Sequence, residues 1–210
     1  MIFYSLKDAC QEWEHLAGAT LGERHIAPLL HRIDSGGFDE SPGQVVVLSF
    51  EGLLSATSSY LKATALSLYF KAGVQPTGTG VVGEPDYHIF PMVYGLNEEL
   101  QEGINEVFSA RKLYCLEALE IEDDKVAKAN LWGTPDEHLL ETLTALEELE
   151  QASASDLREH VKSRISTTGW NNRLYDLYRL RLVRRSKRDR QWIYEPIAGC
   201  INKNEAVLSR

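Results

Sequence analysis

The stretch Gln44-Val45-Val46-Val47-Leu48-Ser49-Phe50-Glu51-Gly52-Leu53-Leu54-Ser55-Ala56-Thr57-Ser58-Ser59-Tyr60-Leu61 organises the first two thirds of the chain. Val45 to Leu48 are four consecutive apolar residues, three of them β-branched, the composition of a short strand buried on both faces. Gly52 frees the backbone to turn. Ser55, Thr57, Ser58 and Ser59 then offer hydroxyls that accept hydrogen bonds from the free amides of a following helix. The spacing of Leu61, Ala65, Leu68 and Tyr69 predicts that helix from about Ser58 to Phe70. A buried strand feeding a helix through such a turn sets several hydroxyls at the positive end of a helix dipole.

Outward from this unit, Ile2-Phe3-Tyr4 reads as a short first strand, followed by a helix capped by Ser5 or Asp8 and running through Leu16. A second helix fits Leu21 to Ile33, and Ser35-Gly36-Gly37 with Ser41-Pro42-Gly43 marks the loop before the central strand. Lys71 to Tyr87 is a long Gly/Pro-rich connection. It contains Gly78-x-Gly80-x-x-Gly83, but no strand precedes Gly78, and Glu84-Pro85 stands where a dinucleotide-binding helix would open. The stretch is therefore read as a flexible loop, and no cofactor is expected. A strand from Ile89 to Tyr94 and a helix from Asn97 to Ala110 make another βα unit. Lys112 to Ile121 and Val126 to Trp132 flank Glu122-Asp123-Asp124-Lys125 as a hairpin. These units predict an α/β domain over residues 1–133, a mixed sheet with helices packed against it.

The run GQVVVLSFEGLLSATSSYLKATAL (Gly43 to Leu66) resembles the centre of the STAS-like domain of unknown function, a bacterial relative of the anti-sigma-factor-antagonist fold. LGERHIAPLLHRI (Leu21 to Ile33) and FPMVYGLNEELQEGINEVFSARK (Phe90 to Lys112) resemble the same family's flanking units, so the likeness covers roughly residues 20 to 120. Ser49 stands where that family often has Asp. The resemblance implies a sensing or docking domain, with Ser58 or Ser59 as a site of phosphorylation by a partner kinase. Thr57 is also available there.

The segment from 134 onward reads as a second domain. Thr134-Pro135-Asp136-Glu137 is a Thr-x-x-Glu capping box with proline at the first helical position. The helix runs to about Glu150, with Leu139, Leu143, Leu146 and Leu149 at helical spacing. Ser153 with Asp156 caps a second helix, and Thr167 or Thr168 opens a third, whose Trp170, Leu174 and Leu177 form its inner stripe. Leu182-Val183 starts a strand, RRSKRDR (Arg184 to Arg190) makes a basic turn, and Gln191 to Tyr194 returns. Three helices and a hairpin with a charged tip form a winged helix-turn-helix pattern over 134–198. STTGWNNRLYDLYRLRLVRR (Ser166 to Arg185) resembles recognition helices of bacterial winged-helix regulators, which usually have Gly where this chain has Arg181. Residues 199–210 read as a flexible tail.

The resulting DNA-binding set is Thr167, Thr168, Asn171, Asn172 and Tyr175 on the outer side of the third helix, with Arg184, Arg185, Lys187, Arg188 and Arg190 at the wing. Asn pairs bidentately with adenine, Thr offers a hydroxyl and a methyl, and Arg and Lys meet phosphates. Charge is sorted accordingly. Residues 1–135 hold 9 Lys/Arg against 19 Asp/Glu, whereas residues 158–190 hold 11 against 3, within a chain of net charge −9. The three cysteines are odd in number and far apart, so neither a disulfide framework nor a metal site is expected. His25 and His31 lack metal-ligand spacing, and the usual nucleophile-elbow, phosphate-loop and zinc-protease motifs are missing from the sequence. No enzyme is expected. No signal peptide or membrane-length apolar run is present, which suits a cytoplasmic protein. The expectation is a cytoplasmic transcriptional regulator that binds double-stranded DNA as a homodimer, with a protein partner on the STAS-like domain. The alternative is an adaptor that docks proteins through both domains and never touches DNA.

Overall fold

Val45 and Val47 enter the core on one face of a sheet while Val46 and Leu48 enter the core on the other, as the side-chain alternation of a doubly covered strand requires. A computed structural model describes residues 1–10, 14–36, 43–74, 89–133 and 136–203. In chain order it has β1 (Ile2–Ser5), α1 (Leu6–Cys10), β2 (His15–Leu16), α2 (Ala19–Ser35), β3 (Gln44–Ser49) and β4 (Ser55–Ala56). Next come α3 (Ser58–Leu61), a π-helical stretch Lys62–Leu66 and α4 (Ser67–Lys71), which together form one continuous rod. Then follow β5 (Ile89–Tyr94), α5 (Glu98–Ser109), β6 (Cys115–Glu122) and β7 (Lys125–Trp132). The last third holds α6 (Glu137–Leu149), α7 (Ala154–Val161), α8 (Thr167–Arg179), β8 (Val183–Arg188), β9 (Gln191–Pro196) and β10 (Cys200–Lys203).

The class is α/β, with a mixed six-stranded sheet in the order β1-β3-β5-β6-β7-β10. β1, β3, β5 and β6 are parallel, β7 returns antiparallel to β6, and β10 lies parallel to β7. The β6–β7 turn sets both Asp123 and Asp124 at positive φ, the conformation of a tight two-residue hairpin. Because the first four strands follow one another in a single direction, right-handed crossovers place every connecting helix on the same face. That face holds α2, the α3–α4 rod and α5, packed on Val46, Leu48, Ile89, Val93 and Cys115. The opposite face would be bare. Its Val45, Val47, Phe90, Met92, Tyr114 and Leu116 share one core with Leu143, Leu146, Trp170, Leu174 and Leu177 of the last third. Residues from 136 onward thus cover the second face of the sheet.

Three expectations need correction. The first helix does not run through Leu16: His15 and Leu16 are extended and pair with Ser55 and Ala56. The turn after β3 supplies that partner, since Leu54 and Ser55 both donate to the Glu14 carbonyl. The tail does not begin at 199, because Cys200–Lys203 add an edge strand to β7. Glu147 of α6 holds that strand by accepting from the Ile201 amide at 2.7 Å and from Lys203 Nζ at 2.5 Å. Finally, the hairpin strands are longer than the basic run suggests: β8 continues through Arg188 and the turn is Asp189-Arg190. The Gly78-x-Gly80-x-x-Gly83 loop, Thr134 and Pro135 of the capping box, and the tail beyond 203 lie outside the described residues.

Candidate functional site

Two helices of the last third start where the sequence offers a cap, whereas α6 starts behind Asp136, whose side chain makes no cap hydrogen bond. In α7, Ser153 and Asp156 form a reciprocal capping box, Ser153 N–H to Asp156 Oδ2 at 2.8 Å and Asp156 N–H to Ser153 Oγ at 3.3 Å. In α8 the cap is Ser166, whose Oγ accepts from Gly169 N–H at 3.1 Å, and Thr167 is the first helical residue. Trp170, Leu174, Leu177 and Tyr178 are buried along the inner stripe. That stripe fixes the rotation of the helix and leaves Thr168, Asn171 and Asn172 exposed on the outer side of its first turns. Thr167 is half-buried and its Oγ1 accepts from Arg158 Nη1 at 3.3 Å. Tyr175 is half-buried as well.

The hairpin separates the five basic residues by strand alternation. Val183 pairs with Pro196 at its base and Arg188 with Gln191 at its end, while Tyr194 also bridges antiparallel to Ala152 in front of α7. Arg184 points toward the sheet, 3.6 Å from Glu195 and with its guanidinium 6.0 Å from the Phe90 ring. Burial pushes its pKa below the ordinary arginine value, and Glu195 opposes that shift. Arg185 points the other way and is stacked among aromatic rings, 4.3 Å from Tyr178, 4.2 Å from Trp192 and 5.2 Å from Tyr175. Lys187, Arg188 and Arg190 are exposed around the turn, beside the exposed Trp192. The structure thus leaves Lys187, Arg188 and Arg190 exposed, with Lys187 Nζ 5.8 Å from the Trp192 ring, and places Arg184 and Arg185 deeper, where they pack. Lys162 and Arg164, exposed in the connection between α7 and α8, extend the basic surface. They fall inside the charge run 158–190, but no motif singles them out.

At the other end of α8, Arg181 takes φ +62°, the left-handed conformation in which glycine is usual at a helix end. The helix therefore keeps a left-handed end without glycine. Arg181 is fully buried and crosses to the α4 end, where Nε and Nη2 donate to the Ala72 carbonyl at 2.9 and 2.6 Å. Its guanidinium lies 5.3 Å from the Phe90 ring and 5.2 Å from the Tyr178 ring. The position of α8 is tied in this way to the end of the α3–α4 rod.

The opposite end of that rod is the hydroxyl-rich turn. Thr57 is the cap: its Oγ1 accepts from Tyr60 N–H at 3.4 Å and from Gly18 N–H at 3.2 Å. Ser59 Oγ lies 3.0 Å from Thr57 Oγ1 and is exposed, whereas Ser58 is half-buried. Ser49 is buried and its Oγ accepts from Glu51 N–H.

A cleft of about 610 Å³ beside the β6–β7 turn is mainly acidic, with Glu122, Asp123, Glu147, Glu150 and Glu195 against Lys125 and Arg184 in its wall. Among the described residues, no group of three or more His, Cys, Asp or Glu is placed to hold a metal ion, and no helix is long and apolar enough to cross a membrane. No protein-family model, curated protein or solved structure matches the chain.

Proposed function

We propose that the protein is a DNA-binding transcriptional regulator in which α6, α7, α8 and the β8–β9 hairpin act as a winged helix-turn-helix unit, borne on a STAS-like sensing or docking domain. The observations that carry this reading are the exposure of Thr168, Asn171 and Asn172 on the first turns of α8 and of Lys187, Arg188 and Arg190 around the hairpin turn, with Arg185 of the hairpin stacked on Tyr175 and Tyr178 of α8. Recognition helices use their amino-terminal turns to reach base edges, and a basic hairpin beside them meets the phosphates or the minor groove. In this reading Asn171 and Asn172 supply base contacts. Lys187, Arg188 and Arg190 supply affinity independent of sequence, with Lys162 and Arg164 beside them. Arg184 and Arg185 hold the hairpin in place rather than touching DNA.

The unit binds as a homodimer, since two-fold proteins read two half-sites of a palindrome. Phosphate on Ser58 or Ser59 would be an input, adding about −1.5 to −2 charges at the start of α3. Ser59 is the more reachable of the two.

The test is selection of a preferred duplex from a random pool, followed by fluorescence anisotropy with Asn171→Ala. The variant should lose about 1–3 kcal/mol on the selected duplex and far less on random DNA. Equal losses on both would remove Asn171 from base reading. Failure of the pool to yield any preferred duplex would favour the adaptor reading.

A further inference from the structure

On the other face of the sheet, three reactive side chains from three helices meet, two of them, Cys10 and His25, at the wall of a pocket. Cys10, the last residue of α1, places Sγ 3.0 Å from Nδ1 of His25 on α2. The Tyr60 hydroxyl of α3 lies 2.9 Å from the same nitrogen and 3.9 Å from the sulfur. The convergence has a local cause. A Cβ on Gly22 would stand 2.7 Å from the Ala63 Cβ and 3.0 Å from the Tyr60 carbonyl oxygen, so only glycine lets α2 approach the rod this closely. His25 sits one turn further along α2, and its carbonyl accepts from the Tyr4 hydroxyl at 2.6 Å. The pocket measures about 490 Å³ and is lined by Tyr4, Cys10, Leu21, Arg24, His25 and Pro28. Cys10 and His25 therefore border space that a small molecule can enter.

We propose that Cys10 is a covalent modification site for small α,β-unsaturated carbonyl compounds bearing a carboxylate, with His25 as the base that takes the thiol proton. The resting pair is neutral: burial pushes the Cys10 thiol up and the His25 imidazole down, Arg24 adding to the latter. The thiol proton is thus still on sulfur when the electrophile arrives, and a base in contact is what the addition needs. As the sulfur–carbon bond forms, the carbon–carbon π bond breaks. Its electron pair moves onto the carbonyl oxygen as an enolate, and the thiol proton passes to His25 Nδ1. The imidazolium then returns that proton to the α-carbon, leaving a thioether and neutral histidine. No oxidant is consumed. Tyr4, Leu21 and Pro28 suit a carbon skeleton, and the exposed Arg24 suits a carboxylate at the mouth. The other two thiols are elsewhere: Cys115 is buried against Tyr69, and Cys200 is on β10, at the sheet edge opposite β1.

The test compares N-ethylmaleimide with 3-maleimidopropionate, which share a reacting group and differ in charge, on the full chain carrying Cys200→Ser. Peptide mass spectrometry follows Cys10 and Cys115 with time in the native protein. Cys10 should be labelled at least about tenfold faster than Cys115, and faster by the anionic reagent than by the neutral one. Arg24→Gln, a surface change, should erase the preference for the anion. His25→Gln should slow Cys10 by about a hundredfold, the low end of what a positioned base contributes. The proposal is overturned if Cys10 is protected as fully as Cys115 in the native protein. It is also overturned if Arg24→Gln leaves the ratio of the two reagents unchanged, or if a folded His25→Gln reacts as fast as the parent.

Discussion

Replacing Arg181 by glycine sets two opposing effects against each other. The left-handed backbone at φ +62° costs an L-residue about 1–2 kcal/mol, which glycine would recover. Against that, the variant loses both donors to the Ala72 carbonyl, at 2.9 and 2.6 Å. A hydrogen bond to a charged group contributes about 1.5–3 kcal/mol, and a buried carbonyl left unpaired costs about 1–3 kcal/mol. Ala72 is fully buried, so water does not replace the lost donors without rearrangement. The stacking on Phe90 and Tyr178 adds up to about 2 kcal/mol, offset in part because a buried guanidinium no longer has to be desolvated. The balance is a net loss of about 2–4 kcal/mol for Arg181→Gly. Arg181→Ala keeps the strained backbone and should lose about 1 kcal/mol more. For a chain of this size 1 kcal/mol moves Tm by about 2–4 °C, so the glycine variant should melt about 5–15 °C lower. Urea unfolding and thermal melting followed by circular dichroism measure both variants. A glycine variant as stable as the parent would refute the claim that this side chain clamps α8 to the rod. Equal stability of the glycine and alanine variants would refute the strain.

Arg185→Ala should cost about 1–2 kcal/mol in urea unfolding, because it removes cation–π contacts with Tyr178 and Trp192, while Arg188→Ala at the exposed tip should change stability by less than about 0.5 kcal/mol. Gly22→Ala should cost about 1–3 kcal/mol in urea unfolding by overpacking α2 against Ala63. Burial raises the Asp176 carboxyl above its ordinary value of 3.8, with Arg179 and His138 opposing the shift. The native state therefore holds this proton at pH values where the unfolded chain has released it, so this group's contribution declines as pH rises from the ordinary value through the raised one. Asp176→Asn should accordingly be more stable than the parent near pH 7, with the advantage shrinking toward pH 3 in melting curves.

The elements that were legible in the sequence carry their own local signal. Val45–Leu48 reads as a doubly buried strand because four apolar residues in a row leave no polar face, and Ser153 with Asp156 reads as a cap because both partners lie within one turn. The central rod was visible from its apolar spacing, but not the π-helical turn at Lys62–Leu66, which has no composition of its own. The pairing of His15–Leu16 with Ser55–Ala56 and the return of β10 to β7 depend on partners far along the chain. At the candidate site, the inner stripe of α8 predicted which residues face out, and Asn171 and Asn172 do. The basic run was harder to read, because period-two alternation in β8 turns Arg184 and Arg185 to opposite sides and into packing, whereas composition treats all five cations alike. Arg181 keeps a glycine-type conformation through a tertiary bond 109 residues away in sequence, which no local rule detects. The Cys10–His25 pair escaped notice for the same reason: it exists only once α2 has docked on the rod.

The claim that the α8 and hairpin-tip face binds DNA is tested most directly by the salt dependence of duplex binding. Full-length protein with Lys187, Arg188 and Arg190 all changed to Ala is compared with the parent by fluorescence anisotropy between 50 and 300 mM salt, on the order of the range where counterion release dominates. If all three meet phosphates, the slope of log K against log salt should fall in magnitude by about 2.7, roughly 0.9 for each lost contact, on every duplex sequence alike. Arg185→Ala, corrected for its lower stability, should leave the slope unchanged. Parent protein that shows no duplex binding at low salt, or a triple variant with the parent's slope, would contradict the account.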